Sequence, residues 1–211
     1  MAKTLLTVWL FCVVWASGAA GQNQDEGSWT WSAQVSASMA VNEAEWTVRH
    51  PYYGGGSETW ETLRGTFSQG IHAQGDIELR NKYLGVRGTL GVLPQEFTQE
   101  APARKEDFTL LLAGLSMVLY PLVESTGKLE PYILAGAGGQ KAVGDMENTG
   151  YFLSGVAGIL TTLSPRVSLD GGIQVFRLKY TQVDLGNNIQ KDLQAHPVSL
   201  FLGVRVFGRD R

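Results

Sequence analysis

The stretch 197–207, PVSLFLGVRVF, sets the strongest limit on the fold. Val198, Leu200, Leu202, Val204 and Val206 fall on one side of an extended chain; Ser199, Phe201, Gly203, Arg205 and Phe207 fall on the other. A repeat of two residues belongs to a strand and not to a helix. The same alternation runs through 166–177, where Val167, Leu169, Gly171, Ile173 and Val175 oppose Arg166, Ser168, Asp170, Gly172 and Gln174. It runs through 31–41 and 84–93 as well. Eight segments of this kind are read at about 29–41, 65–79, 83–93, 108–122, 129–139, 151–163, 166–177 and 196–207. Segments 108–122 and 151–163 are apolar nearly throughout, so the pattern leaves their facing open.

Each segment is about ten residues long, the length with which a tilted strand crosses a bilayer and longer than the common strand of a globular domain. The connections alternate in length. Short ones lie at Arg80–Lys82, at 124–128 and around Ser164–Pro165; long ones lie at 42–64, 94–107, 140–150 and 178–195. Short turns on one rim and long loops on the other are the plan of a membrane barrel. The expected fold is all-β, an eight-stranded antiparallel up-and-down transmembrane β-barrel that starts and ends at the short-turn rim. A soluble periplasmic ligand-binding barrel, with its apolar residues inside, is the competing arrangement.

The N-terminus supports export. Lys3 is the only charge before Asp25, the apolar run Leu5–Ala16 follows, and small residues Ser17–Gly21 close it. That order reads as a signal peptide over 1–21, leaving 22–211 as the barrel domain. The apolar run is shorter than the roughly 20 residues of a spanning helix. Cys12, the only cysteine, lies inside this run, so the exported chain has no disulfide, thiolate chemistry or cysteine metal site. The formal net charge is -3, and losing Lys3 makes it one unit more negative, which gives no electrostatic footprint for nucleic acid.

The polar faces carry Ser, Gln, Gly and Thr with sparse lysine and both signs of charge, as suits a crowded lumen. Aromatic residues near the segment ends, Trp29, Trp31, Tyr83, Phe97, Phe108, Tyr120, Tyr132, Tyr151 and Tyr180, are expected to form interfacial girdles. With these features, the Pro131–Gly138 stretch and the turn-then-strand Leu163–Leu169, the chain resembles the small outer-membrane β-barrels of the OmpA and OmpX type. The resemblance covers essentially the whole exported chain. It implies a location in the bacterial outer membrane and contact with outer-membrane lipids. Such barrels end on an aromatic residue, whereas this chain continues past Phe207 with Gly208–Arg211, read as a short periplasmic tail.

Candidate functional residues fall into two groups. His72, Asp76, Glu78, Arg87, Asp170 and Arg205 are expected inside as a charge network whose members neutralise one another. A barrel of eight strands is just wide enough to be filled by side chains, so a metabolite pore is not expected. Trp46, Tyr52, Tyr53 and Trp60 in the first long loop form a binding surface or pack on the rim. The stretch GAGGQK at 136–141 fails as a phosphate loop, because Ala142 stands where Ser or Thr is needed and no amphipathic helix follows. Gly136, Gly138 and Gly139 are read instead as relieving bulk in a tight barrel. His196 and Ser199 face opposite sides of a strand, and no serine–histidine or metal-ligand spacing emerges. The expected role is non-enzymatic and needs no cofactor: anchoring, or binding an envelope or surface protein through the loops, alone or as a subunit of a larger assembly. A lipid-modifying enzyme of the same fold is the alternative. Ligand and oligomeric state are not encoded in any motif.

Overall fold

In a computed structural model, residues 29–54, 57–100, 103–121, 129–145, 148–181, 183–184, 189–190 and 193–208 are described. The reading of 1–21 as a signal peptide, the turn at 124–128 and the tail after Gly208 lie outside them. The strands are β1 (Thr30–Ala40), β2 (Ala44–Gly54), β3 (Ser57–Gln69), β4 (His72–Arg80), β5 (Leu84–Gln99), β6 (Arg104–Leu119) and β7 (Leu129–Gly144). They continue with β8 (Asn148–Ser164), β9 (Val167–Tyr180), β10 (Val183–Asp184), β11 (Ile189–Gln190), β12 (Leu193–Ala195) and β13 (Val198–Phe207).

Eight of these strands close a ring. β1 pairs β4, then β5, β6, β7, β8, β9 and β13 follow in turn, and β13 pairs back to β1, every contact antiparallel. Closure satisfies the backbone groups of every ring strand within the sheet, which a bilayer demands.

The faces are inverted relative to a soluble barrel. Leu200, Leu202 and Val204 are exposed, while Ser199, Phe201 and Arg205 between them are buried. The soluble ligand-binding arrangement is therefore wrong for this chain. The two segments with open facing obey the same rule. In β6, Leu111, Leu115, Met117 and Leu119 point out, and Leu110, Leu112, Ser116 and Val118 point in. In β8, Leu153 and Ile159 point out, and Phe152 and Leu160 point in.

The expected girdle is corrected in part. Trp29, Tyr83 and Tyr151 are exposed, whereas Phe97, Phe108, Tyr120, Tyr132 and Tyr180 turn inward and are buried. Period two explains this: being near a strand end says nothing about which face a residue occupies.

The four long loops are also corrected, since strands fill most of them. The segment 42–64 forms the hairpin β2–β3, paired from Ala44↔Phe67 to Gly54↔Ser57. The β5–β6 ladder reaches Gln99↔Arg104, and β7–β8 reaches Ala142↔Asn148. Between β3 and β4 the inward parity changes from Phe67 to His72, across Gly70 and Ile71. Pro94 lies opposite this break; it has no N–H to give, but its carbonyl accepts from Gly70 N at 2.9 Å. The break bends the ladder and lets β3 run on, pairing β5 at Gly65–Gln69.

Candidate functional site

Two layers of side chains occupy the lumen. Near the short-turn rim, Arg205 on β13 is fully buried and bridges two acids, with Nη1 to Glu78 Oε2 at 2.8 Å and Nη2 to Asp170 Oδ2 at 2.9 Å. Its Nε and Nη2 also donate to Gln34 Oε1 on β1, at 3.1 and 2.5 Å. Arg87 on β5 donates Nε to Glu78 Oε2 at 2.9 Å. Tyr120 donates its hydroxyl to Glu78 Oε1, and Tyr132 donates to Asp170 Oδ1 at 2.9 Å. Below them Arg80 pairs with Glu130 at 2.6 Å and lies 3.9 Å from the Tyr120 ring centre.

Strands β1, β4, β5, β7, β9 and β13 thus each supply a member. β8 supplies Gly158, where a Cβ would stand 2.5 Å from the Tyr132 ring. At Gly138 on β7 a Cβ would collide with Ala113 O and the Gly114 backbone. These glycines admit neighbours into the lumen, whereas Gly139 points outward with nothing within 4 Å.

Four expected members, Glu78, Arg87, Asp170 and Arg205, are joined in this network; the other two stand apart. Asp76 accepts from Thr89 Oγ1 at 2.6 Å and from Gln74 Nε2 at 3.0 Å. His72 meets Ser38 Oγ through Nδ1 at 3.1 Å and Phe176 edge-on, with ring centroids 5.8 Å apart. Gln34, Tyr120, Tyr132 and the Arg80–Glu130 pair are the members sequence reasoning missed. Tyr120 and Tyr132 stand near strand ends, where girdle residues are expected, and only their register turns them into the lumen.

The second layer lies toward the long hairpins and is aromatic. Trp46 stacks on Phe97 with centroids 5.2 Å apart, and Phe67 stacks on Tyr180 at 4.9 Å. Phe108 meets both Phe67 and Tyr180 edge-on. Tyr180 gives its hydroxyl to Gln95 Oε1 at 2.5 Å. Trp46, at 3% exposure, is thus part of this packing and not of an exposed surface. Tyr52, Tyr53 and Trp60 are strand residues of the β2–β3 hairpin, with Tyr52↔Thr59, Tyr53↔Glu58 and Pro51↔Trp60 in register. Their side chains lie outside the described parts.

Between the layers a cavity of about 20 Å³ touches Gln74, Arg87, Thr89, Ser116 and Gln174. It has room for about one water, not for a metabolite. A wider open hollow of about 500 Å³ adjoins the break, lined by Gly70, Pro94, Glu96, Asp107, Thr109 and Val143 among others, with no histidine. Among the described residues no group of three His, Cys, Asp or Glu side chains is placed to hold a metal. The Ser38–His72 contact is the one nucleophile–base pair found there. Sequence separation hid it, since the residues lie 34 apart on neighbouring strands.

No protein-family model and no curated protein matches this sequence. Solved structures do. The outer membrane protein OprG of Pseudomonas aeruginosa matches with a TM-score of 0.59 at 11% identity, over 89% of this chain and 99% of that one. Outer membrane protein AlkL, determined in DMPC lipid bilayers, matches with a TM-score of 0.56 at 15% identity, over 91% and 96%. Neisserial surface protein A matches with a TM-score of 0.53 at 18% identity, over 83% and 96%. At these identities the likeness is one of fold. The closed ring, its outward apolar belt and these likenesses together give the chain the fold of an integral eight-stranded outer-membrane β-barrel.

Proposed function

We propose that the protein is a non-enzymatic, sealed barrel that anchors the β2–β3 hairpin and its neighbours at the cell surface. There they bind another envelope or surface component, alone or within a larger assembly. The observation that carries this reading is the filled lumen, closed by an ion-pair layer and an aromatic layer, beneath ladders that run on past the apolar belt. A transport path would need a continuous hollow, and the cavity between the layers measures only about 20 Å³.

The reading is tested by a photocrosslinking residue placed at Tyr52 or Trp60 in intact cells, with Leu115 on the belt as control. A discrete protein adduct is expected from the hairpin and none from Leu115. Reconstituted protein is expected to give no steady conductance in planar bilayers. Stable channels, or hairpin positions that behave like Leu115, would count against it.

The Ser38–His72 contact favours a lipid-modifying enzyme as a second reading. Against it, both side chains are buried in the lumen, and no carboxylate is found on His72 Nε2 among the described residues. Lipid analysis of cells carrying Ser38→Ala separates the two, because an altered outer-membrane lipid profile would establish the enzyme.

A further inference from the structure

The hairpin β2–β3 has two long edges, and only one of them is left open. β5 ends opposite Gly65, so Ser57–Arg64 of β3 runs on past its neighbour. Backbone N–H and C=O groups of a strand turn to alternate edges, residue by residue. Arg64 O accepts from Glu100 N at 3.0 Å on the β5 side. Glu58, Trp60 and Thr62 therefore turn their backbone groups to that same side, where no strand meets them among the described residues. The residues between them, Thr59, Glu61 and Leu63, pair across to β2 at Tyr52, His50 and Val48. On β2 the groups left for the other edge belong to Thr47, Arg49, Pro51 and Tyr53. Pro51 has no N–H, and proline there blunts a sheet edge. β3 carries neither proline nor lysine to guard its own edge.

An open row of backbone donors and acceptors is satisfied by another strand. The residues of this row suit a second copy of β3. With the two edges antiparallel about Glu61, Trp60 lies opposite Thr62 of the second copy, and Glu58 lies opposite its Arg64. Both ends of the row then set opposite charges together, which stabilises a cross-strand pair. Arg64 is exposed, and its carbonyl is already taken by Glu100 N, which ends the ladder there. We infer that β3 pairs with β3 of a second copy of this chain seated in an apposed membrane, the two hairpins forming one sheet. The apposed membrane follows from symmetry. Antiparallel pairing of identical strands is isologous, with its twofold axis perpendicular to the sheet. A strand rising from one bilayer is thus met by one descending from another, which two copies in one bilayer do not allow. Ile71 is an exposed apolar residue at the belt edge. Glu61 lies about 30 Å along the strand from it, at roughly 3.3 Å per residue, so the row stands clear of the belt. The inference rests on the reading of the hairpin as the binding element, and names its partner.

Phosphatidylcholine vesicles carrying the folded chain, hairpins outward, are labelled in two colours and mixed, and their co-clustering is measured. Wild-type vesicles are expected to cluster with one another and not with protein-free vesicles. Thr62→Pro removes an N–H from the open edge and none from the β2–β3 ladder, so it is expected to abolish clustering. Thr47→Pro, the matching change on the blunted edge, leaves clustering unchanged. Glu58→Arg or Arg64→Glu sets like charges opposite each other between identical copies and is expected to weaken clustering roughly tenfold. Mixing Glu58→Arg vesicles with Arg64→Glu vesicles sets opposite charges together again and restores it. If Thr62→Pro does not fold, this charge-reversal mixture carries the test by itself. Clustering that survives in folded Thr62→Pro, or a mixture that clusters no better than either variant alone, would overturn the inference. So would absence of wild-type clustering; if the hairpin still crosslinks to a different protein in cells, only the identity of the partner falls and the broader reading stands.

Discussion

Arg205 holds Glu78, Asp170, Gln34 and the Tyr120 hydroxyl with one guanidinium, and its interior position gives it no water to fall back on. Removing one partner of a buried ion pair leaves the other charge uncompensated, at a cost of about 3–5 kcal/mol. Arg205→Met leaves Asp170 without its cation and Glu78 with Arg87 alone, whereas Arg87→Met leaves both acids paired with Arg205. Arg205→Met is therefore expected to destabilise the barrel by about 3–5 kcal/mol in urea unfolding from lipid vesicles, and Arg87→Met by distinctly less. Equal costs would show that the bridge to Asp170 carries no weight. Gly158 offers a second check. A methyl group there enters the Tyr132 ring, so Gly158→Ala is expected to cost about 1–3 kcal/mol by overpacking. In a Tyr132→Ala background the same change should cost little, and additive losses in that double-mutant cycle would exclude the contact as the cause.

The strands show what alternation can and cannot reveal. On β13 the outward set Leu200, Leu202 and Val204 is legible from spacing alone, because polar and apolar residues separate cleanly. On β6, Leu110, Leu111 and Leu112 are all apolar, and only pairing with β5 and β7 decides that Leu111 faces lipid. The outer ladders were missed for a related reason. Residues 43–49 do alternate, Glu43, Glu45, Thr47 and Arg49 against Ala44, Trp46 and Val48, but the run is short and leads into Pro51 and a glycine cluster, the composition of a loop, yet Ala44–Gly54 pairs with Ser57–Phe67. Within the lumen, charged residues on clean strands could be identified, but which of them meet could not. Glu78 and Arg205 are 127 residues apart and come together only because β1 brings β4 and β13 into one ring. At this scale the membrane assignment is testable by substitution. Leu115 is 67% exposed at the middle of the outward apolar run Leu111–Leu119 of β6. Leu115→Arg is expected to cost about 2–4 kcal/mol of folding free energy in bilayers, while Thr109→Arg, near the end of the belt, costs about 0–1 kcal/mol. A neutral Leu115→Arg would contradict a lipid-facing belt.

Taken whole, the molecule is a barrel filled from both ends, polar and charged toward the short turns and aromatic toward the hairpins. Filling rather than enclosing is what an eight-stranded circumference allows. The ion-pair layer is held by the ring strands, and the hairpin's own contributions to the aromatic layer, Trp46 and Phe67, lie at its base, so the hairpin beyond them is expected to be dispensable for folding. Excising residues 49–60 should preserve the heat-modifiable gel migration of the folded barrel, and loss of that shift would place the hairpin among the elements that fold it. The central claim, a closed ring with lipid outside and packed side chains inside, has a direct spectroscopic test. Cys12 is the chain's only cysteine, so a Cys12→Ser background accepts one spin label at a time. Labels placed in turn at 199, 200, 201, 202, 204 and 205 in reconstituted vesicles report collisions with oxygen, which partitions into lipid. Strong collisions are expected at 200, 202 and 204, with weak ones at 199, 201 and 205. The opposite phase, or access of a water-soluble nickel complex at 200, 202 and 204, would contradict the account.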